Sequence, residues 1–240
     1  MIQPLTDRYP DIETNDAYQI SKKFLSHREN EGEKVIGKKI GVTSKVVQEM
    51  LSVNQPDFGF LTNTMQVKNK SNFCISEYLI QPRAEAEIAF ILKEDLHGPG
   101  ITKENVIAAT EKIMPCFEIV DSRIDDWKIK IQDTIADNAS CGIFVLGEGA
   151  VSPNQFAMDE LEVEVFKNEE FLSSGKGSAV QGHPAEAVAW LANTLGVYDI
   201  PLLTGEFILS GSLVPLEPAQ AGDKFRMNLK GVGTCEIKFI

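Results

Sequence analysis

The sequence predicts an α+β protein in two parts: a small N-terminal α/β region over residues 1–64 and a larger mixed-β domain over residues 65–240. Three observations lead there. A cappable helical segment and a short glycine-bounded strand open the chain, whereas from Ile80 onward strand patterns dominate. The strand runs are too irregularly spaced for a regular βαβ barrel. With 240 residues, 43% of them apolar, the chain can bury one large core with a smaller appendage.

Taken in order, Asn15 to about Glu31 reads as a helix. Asn15 or Asp16 is placed to cap it, and Ala17, Tyr18, Ile20, Phe24 and Leu25 form its apolar stripe. Val35–Ser44 reads as a strand ending in a glycine turn. Lys45–Leu51 reads as a helix capped by Ser44, and Asn54–Gly59 as a loop, given its Pro, Asp and Gly. Pro82 to about Leu92 is a strand. Thr102 caps a helix that carries Val106, Ala109 and Ile113 and stops at Pro115, and a second apolar strand follows around Glu118. Leu161–Phe166 alternates like a strand, and Lys167–Glu170 turns it into a hairpin. Pro184 opens a helix through Leu195 with Gly196 just past its end; His183, before that proline, suits a cap better than a metal ligand. Glu206–Leu213 is a strand, and Lys224–Leu229 with Thr234–Ile240 forms the last hairpin.

Composition excludes several function classes. A net charge of −12 without a dense Lys/Arg cluster argues against nucleic-acid binding. No apolar run approaches membrane-spanning length, and the first residues do not form a signal peptide. The four scattered cysteines lack a CxxC pair, which suits reduced thiols in a cytoplasmic protein and argues against structural zinc. An acidic enzyme acting on small molecules remains, and an anionic substrate there needs local positive charge from a metal or a lysine.

Four segments could carry chemistry. In Pro82–Phe90 strand alternation puts Arg83, Glu85, Glu87 and Ala89 on one face. A solvated face with Arg83 paired to a carboxylate explains this as well as a metal site does. Glu118 tilts the balance, because its neighbours on both sides are apolar, and three carboxylates in apolar strands suit a hard divalent cation such as Mg²⁺ or Mn²⁺. In Gly37–Ser44 the consecutive Lys38 and Lys39 point to opposite faces, so one can turn inward while the other is solvated; a surface pair on an edge strand is the plainer alternative. The stretch from Asp121 to Gly142 is polar. Its Asp125, Asp126 and Lys130 read as solvated, whereas Ala139–Gly142 has the small residues of a pocket wall or a close packing contact. In Ile208–Pro215 the Ser210-Gly211-Ser212 turn either offers backbone N–H groups and hydroxyls to a carboxylate or simply ends a strand.

Together, IGKKIGVTS (36–44), QPDFGFL (55–61), QPRAEAEIAFIL (81–92), the long central segment 115–147 and ILSGSLVPLEP (208–218) resemble the hydratase/decarboxylase family of the fumarylacetoacetase superfamily. They are most similar to its 2-hydroxypenta-2,4-dienoate hydratases of aromatic meta-cleavage catabolism, with Asp126–Lys130 and Ser140–Gly142 looking hydratase-like. The chain starts later than that pattern leads one to expect. The resemblance implies a mixed β-roll catalytic domain and a site of Glu85, Glu87 and Glu118 for Mg²⁺ or Mn²⁺. It also implies Lys39 as an active-site cation that contacts substrate, Asp57 as a pocket residue and the first candidate for the general acid/base, and Ser140 and Ser210-Gly211-Ser212 lining the substrate. It further implies a 2-oxo or 2-hydroxydienoate substrate, a homo-oligomer, and a possible complex with a sister decarboxylase. The alternative activity within the family is decarboxylation of 2-oxo-hex-3-enedioate.

Overall fold

The structure is a computed structural model that describes residues 1–50 and 53–240. Its helices are α1 (Leu5–Arg8), α2 (Thr14–Asn30), α3 (Lys45–Met50), α4 (Ile75–Tyr78), α5 (Lys103–Ala109), α6 (Ile131–Ala136) and α7 (Pro184–Gly196). Strands β1 to β7 are Val35–Gly41, Asp57–Thr62, Gln66–Val67, Asn72–Phe73, Pro82–Leu92, Thr110–Asp121 and Cys141–Leu146. Strands β8 to β13 are Glu162–Lys167, Glu170–Lys176, Phe207–Ser212, Glu217–Pro218, Lys224–Leu229 and Gly233–Phe239.

Two sheets organise these elements. The larger runs β2-β1-β10-β5-β6-β7-β3, with β11 added to β5; the smaller runs β4-β13-β12-β8-β9. The larger sheet is mixed, since β1 pairs parallel to β10 and antiparallel to β2. One of its faces belongs to the main core, where Phe117 meets Phe225 of the smaller sheet edge-on at 6.2 Å. The other face encloses a second, smaller core that joins Leu61 of β2 and Met65 to Ala89, Cys116, Cys141, Phe144 and Leu209. Residues from β2, at one edge of the sheet, and from β7, next to the other edge, share that cluster, so the sheet curls around it, as expected for a β-roll. β1 and β2, which fall within residues 1–64, hydrogen-bond into the same sheet as the strands of residues 65–240.

Several local readings differ from the structure or reach its limits. α2 is capped by Glu13 rather than Asn15 or Asp16, because Asp16 sits at N3 and its side chain takes the Glu13 N–H at 3.1 Å. Ile20 is exposed: at about 100° per residue it lies some 200° around the helix from buried Tyr18. Of the helix expected over Lys45–Leu51, α3 covers Lys45–Met50, and Leu51 lies outside the described residues. Asp57, Phe58 and Gly59 are strand, not loop, paired with β1. α5 stops at Ala109, and Pro115 lies inside β6. The Pro115 carbonyl accepts from Gly147 N just beyond the end of β7, so its missing N–H falls at the end of the β6–β7 ladder rather than within it.

The helix at Pro184 forms as read, with His183 Nδ1 accepting from Ala185 N at 3.1 Å; Gly196 is its last residue rather than the one beyond it. The β8–β9 hairpin turns through Asn168 and Glu169, both at positive φ. Among the described residues, no helix is long and apolar enough to cross a membrane.

Candidate metal and active site

The site is built on the inner face of the curled sheet. β5 and β6 pair antiparallel with Glu85 directly opposite Glu118, and Glu87 follows two residues along on the same face. One ligand oxygen from each of the three carboxylates lies within 4.8 Å of the others. Glu87 and Glu118 are fully buried. Arg83 does not neutralise them; its guanidinium stacks over the Trp127 ring at 4.8 Å. Glu87 is therefore not on a solvated face and Arg83 is not paired to either carboxylate, while Glu85 stays partly exposed.

Among the described residues, one cation enters this face. Lys39 of β1, 2% exposed, places Nζ 3.1 Å from Glu118 Oε1. Gly41, next on the same face, is required there: a Cβ would fall 2.3 Å from Asp57 Oδ1 and 3.3 Å from Lys39 Nζ. Asp57 is 1% exposed and receives a hydrogen bond from Thr134 Oγ1 at 3.3 Å. Lys39 thus faces Glu85, Glu87, Glu118 and Asp57, an excess of negative charge in a buried space.

Their protonation reflects that excess. Burial, and then the neighbouring Glu118 charge, pushes Glu85 up to about 8. Burial followed by Glu118 and Glu85 lifts Glu87 well above the carboxylate range. Burial also raises Glu118 and Asp57, with Lys39 opposing in both cases. For Lys39 burial works against the charge, yet Glu118, Asp57 and Glu85 hold its pKa above the ordinary lysine value.

The donor set fits a hard divalent cation. It is all oxygen, Glu87 Oε1 has no hydrogen-bond partner among the described residues, and Glu118 meets the Lys39 ammonium and the Cys141 thiol but no donor of ordinary geometry. Glu87 Oε2 is held by Gly211 N at 2.8 Å. Gly211 sits at φ +104°, and a Cβ would come within 2.4 Å of Thr43 Oγ1, so only glycine brings this N–H to the carboxylate. Ser210 is fully buried and its hydroxyl has no partner among the described residues, whereas Ser212 Oγ donates to Val214 O inside its own turn.

Ser140 enters from the other edge. Asn138, Ala139 and Ser140 have φ of 57°, 50° and 51°, three consecutive non-glycine residues in the left-handed region. Asn138 fastens this turn to β2, donating to Phe60 O at 2.9 Å and accepting from Phe60 N at 2.8 Å. Gly59 admits it, since a Cβ there would lie 2.4 Å from Asn138 O. Ser140 Oγ stands 3.5 Å from Thr134 Oγ1 and donates to Asp137 at 3.2 Å. The structure thus brings Lys39, Asp57 and the three glutamates together on one inner face and links Ser140 to Asp57 through Thr134. Thr134, Asp137 and Asn138 had no role assigned from sequence, and Gly41 reads there only as allowing a ligand to approach the backbone. Only Asn138 carried a local signal, because asparagine tolerates positive φ.

Comparison with known proteins decides the family. The fumarylacetoacetate hydrolase C-terminal family matches residues 34–240. The chain belongs to that family. Two relatives extend the assignment. A 2-hydroxyhexa-2,4-dienoate hydratase of Comamonas testosteroni is 60% identical over 99% of this chain and 90% of its own length. A 2-hydroxypent-2,4-dienoate hydratase of Pseudomonas putida is 61% identical over 83% of this chain and 90% of its own length. Among solved structures, 4-oxalocrotonate decarboxylase from Pseudomonas putida G7, complexed with magnesium and adipate, superposes with a TM-score of 0.97 at 34% identity. That match covers all of this chain and 90% of the decarboxylase. The fumarylacetoacetate hydrolase-like fold, an α+β architecture, matches the β-roll expected from sequence.

Proposed function

We propose that the chain is a metal-dependent hydro-lyase that converts 2-hydroxypenta-2,4-dienoate to 4-hydroxy-2-oxopentanoate. The observation that carries the reading is its 60% identity, over nearly the full chain, to a dienoate hydratase. The site supports it, because its oxygen donors and its single lysine suit a 2-oxo acid anion. Glu85, Glu87 and Glu118 would hold Mg²⁺ or Mn²⁺, which when bound supplies Lewis-acid polarisation of the 2-oxo acid.

The protein's own groups do the rest. Lys39, fixed against Glu118, keeps a positive charge on the inner face and stabilises negative charge that develops on the substrate's C2 oxygen. Asp57, whose carboxyl is raised by burial against the pull of Lys39, can carry a proton and deliver it to C5 as the dienol becomes a ketone. The C3=C4 bond is then conjugated to the C2 carbonyl, and water adds at C4. Asp57 takes a proton from that water and returns it to C3. Ser140, Ser210, Gly211 and Ser212 would line the substrate, with Gly211 also setting Glu87. Homo-oligomeric assembly, association with a sister decarboxylase and a cytoplasmic setting belong to the same proposal and rest on family resemblance.

The test is consumption of the dienoate and appearance of 4-hydroxy-2-oxopentanoate, with and without chelator, beside an assay of carbon dioxide release from 2-oxo-hex-3-enedioate. Hydration abolished by chelator is expected. Full activity of metal-free protein would remove the metal role, and turnover of the dicarboxylate alone would make the chain a decarboxylase.

A further inference from the structure

We propose that Thr134, Ser140 and Asp137 form a proton relay that reloads Asp57 from the protein surface. The inference rests on the hydratase reading above. Asp57 is 1% exposed, and among the described residues the side-chain hydroxyl that donates to it is Thr134 Oγ1, at 3.3 Å. Thr134 Oγ1 is 3.5 Å from Ser140 Oγ, and Ser140 Oγ is 3.2 Å from Asp137 Oδ2. The Asp137 side chain retains 10% exposure beside Arg123, whose side chain is 27% exposed and whose Nε lies 3.0 Å from Asp137 Oδ1. The row therefore runs from a closed carboxylate to one that reaches water. These contacts are long, as catalytic hydrogen bonds often are before substrate binds.

The reaction's proton count leaves Asp57 to be reloaded. Asp57 gives one proton to C5, recovers one from the attacking water, and gives that one to C3. It ends each cycle one proton short, because the enol O–H proton is released at the C2 oxygen. Reloading starts when Asp137 takes up a proton and the Ser140 hydroxyl, which donates to Asp137 at rest, turns to Thr134; the Asp137 proton then moves to Ser140 Oγ, the Ser140 proton to Thr134 Oγ1, and the Thr134 proton to Asp57 Oδ2. Both hydroxyls end with one hydrogen each, Asp57 gains a proton and Asp137 loses one, which solvent replaces. The Asp137 carboxyl is suited to this, since burial, opposed by Arg123, lifts it to about 6. The strained Asn138–Ser140 turn has a purpose in this scheme: it holds the Ser140 hydroxyl between Thr134 and Asp137.

The experiment replaces Thr134 with valine, which keeps the shape and removes the hydroxyl, and with serine, which keeps the hydroxyl. Mg²⁺-loaded enzymes are compared for kcat, KM, Mg²⁺ affinity by calorimetry, thermal midpoint, and kcat in D₂O. For Thr134→Val the expected result is a fall in kcat of about 100-fold, with KM and Mg²⁺ affinity within about twofold of wild type. Thr134→Ser should recover kcat to within about fivefold and keep the wild-type solvent isotope effect. Asp137→Asn should lower kcat by a similar factor. If valine works as well as serine, or serine is as impaired as valine, the relay is wrong. Wild-type enzyme that fails to hydrate the dienoate overturns the functional reading and the relay with it. Turnover that survives Thr134→Val overturns the relay alone.

Discussion

Lys38 and Lys39 are neighbours in β1 and equally buried, but they serve opposite faces of one sheet. On the outer face, Lys38 meets one carboxylate. Its Nζ lies 2.6 and 2.5 Å from the two oxygens of Glu206, and Leu203 N also donates to Glu206 at 2.9 Å. On the inner face, Lys39 meets Glu118 at 3.1 Å and shares its surroundings with Glu85, Glu87 and Asp57. The first arrangement is a closed charge balance. The second is left negative and has oxygens without donors. A balanced buried pair is a structural device, whereas an unbalanced one needs something from outside to complete it.

The comparison breaks most directly at Lys38. Lys38→Met leaves Glu206 buried without its cation and should cost about 3–5 kcal/mol of stability, read by urea unfolding. Adding Glu206→Leu should restore most of it, while Mg²⁺ affinity and KM stay at wild-type values throughout. A single variant as stable as wild type would mean that Lys38 is not a closed pair. At the inner site the signs reverse. Glu118→Gln removes one of the excess charges, so the metal-free fold should lose little stability. Its Mg²⁺ affinity, by calorimetry, should collapse, and turnover should drop by about 10²- to 10³-fold. Unchanged turnover and affinity would separate Glu118 from the metal.

Much of this contrast was legible in the sequence. Alternation placed Glu85 and Glu87 on one face, and a carboxylate among Phe117 and Ile119 pointed to burial with a cation. Adjacent lysines in a strand had to face opposite ways, although nothing in the pattern said that both would be buried. Register was not legible: that Glu85 faces Glu118 depends on how β5 and β6 pair, a long-range choice made by packing. Asp57 read as loop because Pro56 and Gly59 flank it, yet Gly59 is there to admit the Asn138 turn against a strand. Pro115 read as a helix stop for the same reason, since local punctuation does not reveal that a missing N–H falls at the end of a ladder. The left-handed turn at Ala139 and Ser140 is imposed by tertiary bonds from Asn138 to Phe60 and carries no local signature.

Two smaller effects sharpen the contrast. Lys39→Ala should reduce kcat at least about tenfold, or roughly 1.4 kcal/mol, without the large loss of stability expected at Lys38. A smaller loss of rate would demote Lys39 from stabiliser to bystander.

The mildest effect belongs to Arg123–Asp137, a pair at 3.0 Å that is neither closed like Lys38–Glu206 nor unbalanced like the inner site. Burial raises the Asp137 carboxyl from its unfolded value to about 6, against the pull of Arg123. The fold therefore binds that proton more tightly than the unfolded chain does, and the resulting stabilisation is complete below the unfolded pKa of about 4 and disappears as pH rises through about 6. Asp137→Asn cannot titrate. The stability of wild type relative to this variant should therefore decline between pH 4 and pH 6.5, by no more than about 2 kcal/mol, since the side chain still reaches water. Unfolding midpoints in urea across that range measure it. A difference that stays flat, or grows with pH, would show that Arg123 outweighs burial and that this pair belongs with the closed case of Lys38.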